Sequence, residues 1–186
     1  MKKALLALSI LFLLISCEKK VNRIQKEKVE IEKDTITFFD STDLGAFGSP
    51  TKLLIYANFD ECGEWGGHEE TFEISTETGY NFYAIYKRTK VDCDKINELY
   101  GTPKFQQPDI SKEIQLSENN IIAINNYLST LVRSKIKERF PGHAGQRYGA
   151  INSDSTFVIN IYDNNKENLD NYNKLLESFN IEKVSY

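Results

Sequence analysis

Glu70-Thr71-Phe72-Glu73-Ile74-Ser75 and, beyond Thr78-Gly79, Asn81-Phe82-Tyr83-Ala84-Ile85-Tyr86-Lys87 are the stretches that decide the fold. In the first, Phe72 and Ile74 alternate with Glu73 and Ser75. In the second, Phe82, Ala84 and Tyr86 alternate with Tyr83 and Ile85. A period of two places one set on a buried face and the other on the opposite face, as in a strand. Thr78-Gly79 between the two runs predicts a hairpin turn. Upstream, Thr35–Phe39 and Lys52–Phe59 are short apolar or β-branched runs separated by Gly45, Gly48 and Pro50. The first half therefore predicts an antiparallel meander.

Downstream the periodicity changes. Residues 91–108 have the Pro, Gly and Gln content of a loop, with a short helix expected at Asp94–Tyr100. Ser117 is a suitable helix N-cap, and Glu118 falls in the first turn, where the helix dipole favours an acid. Ile121, Ile124, Leu128, Leu131 or Val132, and Lys135-Ile136 follow at helical spacing, and Pro141-Gly142 ends the run. Ser155–Tyr162 alternates Phe157, Ile159 and Ile161 as a further strand. Lys166–Phe179 sets Leu169, Tyr172, Leu175 or Leu176, and Phe179 on one helical face. Strands first and helices late define an α+β class: an antiparallel sheet with two late helices packed on one face.

At the N-terminus, Met1-Lys2-Lys3 is basic and Ala4–Ile15 is apolar apart from Ser9. That run falls short of the ~20 residues a membrane-spanning helix needs but suits the core of a secretory signal. It ends in Leu14-Ile15-Ser16-Cys17, which resembles the lipobox of bacterial lipoproteins. The resemblance implies cleavage after residue 16, acylation of Cys17 (palmitate among the chains) and a stable membrane anchor. Glu18 follows where an Asp would direct inner-membrane retention, so the resemblance implies the outer membrane, at its periplasmic face or at the cell surface. Ile-, Asn-, Lys- and Tyr-rich usage, together with the Asp60–Glu70 stretch, is similar to uncharacterised lipoproteins of the Bacteroidota. Glu18–Asp34 interleaves six basic with five acidic side chains and reads as a solvated tether. The chain thus divides into a signal peptide (1–16), an acylated cysteine with its tether (17–34) and one globular domain (35–186).

Removing the first 16 of 186 residues leaves 170, enough for one domain with a sizeable core. The formal charge of −4 becomes −6 once Lys2 and Lys3 are lost. Scattered charge of that sign offers no footprint for nucleic acid, which is not expected as a partner.

Cys62 and Cys93 are the cysteines left after acylation of Cys17. An even pair in an oxidising compartment predicts a disulfide. The rival arrangements are two free thiols, or a zinc site of Cys62, His68, Cys93 and His143, although no C-x₂-C or H-x₃-H spacing supports zinc. No metal or cofactor is expected.

Asp60–Glu70 is the least ordinary local sequence. It holds the single Trp, one of two His, three of ten Gly and five acids. Either Trp65 covers the disulfide in a plain turn, or Trp65, His68, Glu69 and Glu70 contact a ligand. Arg139–Gly149 carries the second histidine in another glycine-flanked loop. If the loops meet, His68, Glu69, His143 and Arg147 form an acid–base group; if not, Arg139 and Arg147 are anion-binding or solvated charges. No G-x-S-x-G, S-x-x-K, H-E-x-x-H or phosphate-cradling loop occurs, and no catalytic residue is assigned. The sequence therefore favours a lipid-anchored envelope protein with a non-enzymatic binding or interaction role. Its expected partners are the membrane and a protein or small ligand of the envelope, and its candidate ligand residues are Trp65, His68, Glu69, His143 and Arg147. The alternatives are an envelope hydrolase with a His general base and an inhibitor or immunity protein.

Overall fold

The computed structural model describes residues 51–76, 81–138, 145–162 and 165–185. The lipobox, the tether, Thr35–Phe39, the Thr78-Gly79 turn, Arg139 and His143 lie outside these residues. Six strands, β1 (Leu53–Asn58), β2 (Glu69–Thr76), β3 (Phe82–Lys90), β4 (Gln107–Gln115), β5 (Arg147–Asn152) and β6 (Val158–Tyr162), form one antiparallel sheet in the order β4-β3-β2-β1-β5-β6. Among the described residues the α-helices are a single turn, α1 (Ile96–Leu99), and two long late ones, α2 (Glu118–Lys137) and α3 (Lys166–Ser178). The fold is α+β.

The period-two runs become strands, and register explains their order. Ile55 lies between Phe72 of β2 and Ala150 of β5, while Phe72 faces Tyr86 of β3. All four side chains point to the buried face. The meander β1–β4 is thus extended at β1 by the β5–β6 hairpin. Two strands escape the sequence pattern. β4 begins inside the segment expected to be a loop, because it is an edge strand whose inner face carries two half-buried apolar residues, Ile110 and Ile114, on either side of Lys112. β5 begins inside the glycine-flanked segment; the Tyr56 ring lies so close over Gly149 that a Cβ there would overlap it. The strand expected from Ser155 starts only at Val158, because Asn152 and Phe157 close a tight turn.

Ser117 caps α2 as expected, and Asn120 completes a capping box by returning its side-chain oxygen to the Ser117 N–H at 2.9 Å. Ile124, Leu128 and Leu131 of α2 and Tyr172, Leu175 and Leu176 of α3 close over the inner sheet face. Ile136, expected on that stripe, is instead exposed near the helix end. Ser134 of α2 donates to Asn168 of α3 at 2.8 Å, satisfying a buried amide between the helices. No described helix is long and apolar enough to cross a membrane.

Candidate functional site

Alternation along β2 continues past Phe72 to Glu70, which therefore points inward and is fully buried. A buried carboxyl without partners would be costly. Here Tyr172 of α3 donates to Glu70 Oε2 at 2.9 Å, and His68 Nε2 lies 3.4 Å from Oε1. The Tyr86 hydroxyl lies near the same carboxyl, and burial followed by that charge raises it well above its ordinary range. Burial, followed by the charge of Glu70, pushes the Tyr172 hydroxyl well above its ordinary range, so it remains a donor.

His68 is held on its other side by Glu61. The Glu61 carboxylate accepts from the His68 backbone N–H at 3.0 Å and also pairs with Nδ1 of the ring. This clamp depends on Gly67. A Cβ there would overlap the Glu61 carboxylate and come within 2.7 Å of the Phe59 carbonyl oxygen. Gly66 beside it has φ 87°, a conformation that side chains other than glycine's strongly disfavour. The imidazole also stacks on Phe59, with centroids 4.4 Å apart. Burial alone would lower the His68 pKa, but the hydrogen bonds and charges of Glu61 and Glu70 outweigh it and raise it to about 9. Burial would raise the Glu61 carboxyl, and the contacts with His68 reverse that to a net lowering. His68 is therefore a cation at neutral pH.

Arg88 stands opposite Glu70 in the β2–β3 register and donates to Asp109 of β4 at 2.9 and 2.6 Å. Asp109, Arg88, Glu70, His68 and Glu61 thus form a row of alternating sign at one end of the inner sheet face. The row lines a cleft of about 410 Å³, closed on one side by Cys93 and on another by Glu182–Ser185. That C-terminal wall is fixed to α3 by Asn173, whose amide bonds both the N–H and the C=O of Val184 at 2.9 Å.

Cys62 and Cys93 are joined as a disulfide, with Cα atoms 5.3 Å apart. It ties the loop carrying Glu61 to the turn after β3 and removes both thiols from the zinc arrangement. Among the described residues no group of three or more His, Cys, Asp or Glu side chains is placed to hold a metal.

The candidate ligand residues are not brought to one place. His68 lines the cleft, whereas Trp65 lies outside it, half-exposed and edge-on to Tyr100 at 4.9 Å. Glu69 and Arg147 point to the opposite sheet face. There they flank Asn58 in one cross-strand row, and the Arg147 guanidinium sits 4.9 Å from the Tyr56 ring centre. His143 lies outside the described residues. Of the residues in the row lining the cleft the sequence reading named His68 and Glu70 and omitted Glu61, Arg88 and Asp109, as it omitted Tyr172; the inward direction of Glu70 could have been read from its phase with Phe72 and Ile74. No family model matches the chain, and no curated protein or solved structure is detectably similar to it.

Proposed function

We propose that the protein is a lipid-anchored envelope protein that binds a small polar ligand in the cleft over Glu70, without catalysing its conversion. The observation that carries this reading is a fully buried carboxyl that lines an open cleft and is held there by a helix tyrosine. Buried ionisable groups with specific charge partners cluster at functional sites. A general base must be free to take up a proton near neutral pH. An imidazole already protonated between two acids is not, which weighs against a hydrolase that uses His68 in that role. Anchoring follows from the lipobox resemblance at Cys17, and oxidation of Cys62 and Cys93 suits the compartment that resemblance implies.

Two measurements on the intact chain test the proposal. Native mass spectrometry of protein purified from its own membranes should show a small adduct that Glu70→Gln and Arg88→Ala both lose. No adduct, or one retained equally by the variants, refutes the cleft assignment. Metabolic labelling with an alkynyl fatty acid should tag the wild type and not Cys17→Ala; equal tagging refutes the anchor.

A further inference from the structure

A second concavity lies beyond the end of β3, lined by residues between Lys90 and Gln107. It encloses about 640 Å³, within the ~300–1,000 Å³ typical of small-molecule sites. Its apolar surface comes from Val91, Leu99 and Phe105, all half-buried rather than sealed in the core. The α1 turn and the loop after it hold Leu99 and Phe105 in place. Tyr100 N–H donates to Ile96 O at 2.9 Å, and Phe105 N–H to Thr102 O at 3.1 Å.

The rim is one-sided in charge. Lys90, Lys95 and Lys104 line it against one acid, Asp92. Asp92 is already taken by Lys95 at 3.0 Å, and Glu98 and Asp94 add to the negative charge around that lysine. Lys90 and Lys104 make no ion pair among the described residues. Two unpaired ammonium groups over an apolar floor complement a ligand with an apolar body and one negative head.

We infer that the concavity formed by Val91, Leu99 and Phe105, rimmed by Lys90 and Lys104, binds a small carboxylate with an apolar aryl or acyl body. The apolar body displaces water from the three side chains, and the carboxylate sits between the lysines as a charge-assisted acceptor. The occupant is a free monoanion with one slender tail, because a few half-buried side chains cannot cover the paired tails of a membrane lipid. This site stands apart from the Glu70 cleft, sharing with it only Lys90 and Val91.

Trp65, the single tryptophan, gives a direct readout, because it packs on Tyr100 and Tyr100 packs on Phe105 at 5.7 Å. The intact chain is titrated with naphthoate, naphthylmethanol and naphthylmethylammonium, following Trp65 emission and heat. Saturable one-to-one binding of naphthoate is expected, with the alcohol and the ammonium compound each weaker. Lys104→Glu with Lys90→Glu should weaken naphthoate by about tenfold or more, reverse the preference toward the ammonium compound and leave the melting transition in place. Phe105→Ala should weaken all three probes. Equal binding of the three probes, naphthoate binding indifferent to charge reversal, or no saturable binding at millimolar concentration would each overturn the assignment.

Discussion

The Tyr172 hydroxyl donates a 2.9 Å hydrogen bond to Glu70 across 102 residues of sequence, joining helix α3 to the inner face of β2. Both residues are fully buried. This bond turns a carboxyl that would oppose folding into one the core accommodates. Tyr172→Phe keeps the ring packing and removes only the donor, so it should destabilise the protein by about 1–3 kcal/mol in urea unfolding. Glu70→Gln in the same background should cost less than in the wild type, and a double-mutant cycle measures that coupling.

Stability should fall on the alkaline side because of His68. Its folded pKa of about 9 lies above the ordinary 6.5, so its contribution is complete below about pH 6.5 and is lost as pH rises through 9. Glu61, lowered on folding, acts in the opposite window: its contribution is present above 4.5 and is lost as pH falls through its depressed value. Unfolding free energy measured against pH should decline between pH 6.5 and about 9.5 in the wild type. His68→Gln should flatten that decline.

Gly67→Ala should break the clamp while both charged residues, Glu61 and His68, keep their identity. Because the added methyl would occupy the space of the Glu61 carboxylate and crowd the Phe59 carbonyl, the loop has to shift. A loss of about 1–3 kcal/mol is expected, as for other strained insertions, with the His68 pKa moving back toward 6.5. Unchanged stability and an unchanged histidine titration would show that the loop absorbs the methyl without releasing Glu61.

The disulfide spans a sequence separation of 31 residues. Cys62→Ser with Cys93→Ser should cost roughly 3–4 kcal/mol on the chain-entropy account of crosslinking. The unfolding midpoint reports the loss. Thiol counting by mass on the native wild type should find neither Cys62 nor Cys93 alkylatable without reductant.

The layered plan of the fold was readable because it rests on local periodicity. Phe72 and Ile74 announce β2, Ser117 announces the start of α2, and Tyr172, Leu175 and Leu176 announce the face of α3. β4 and β5 were hidden for different reasons. An edge strand such as Gln107–Gln115 needs few apolar residues, and β5 owes its place to packing of Tyr148 and Ala150 against distant β1 and β6. The site was less readable still. Asp109 and Tyr172 reach it from far along the chain, so only the folded sheet and helix bring them to Arg88 and Glu70. Glu69 and Arg147 resembled site residues by composition, but strand alternation turns both away from the cleft.

The titration of His68 by nuclear magnetic resonance is the most direct test of a binding cleft built on fixed charges. The account predicts protonation persisting to about pH 9 in the wild type and a clear fall in that value in Glu61→Gln and Glu70→Gln. A midpoint near 6.5 in the folded wild type, unmoved by either substitution, would contradict it. That result would return His68 to the role of a free base.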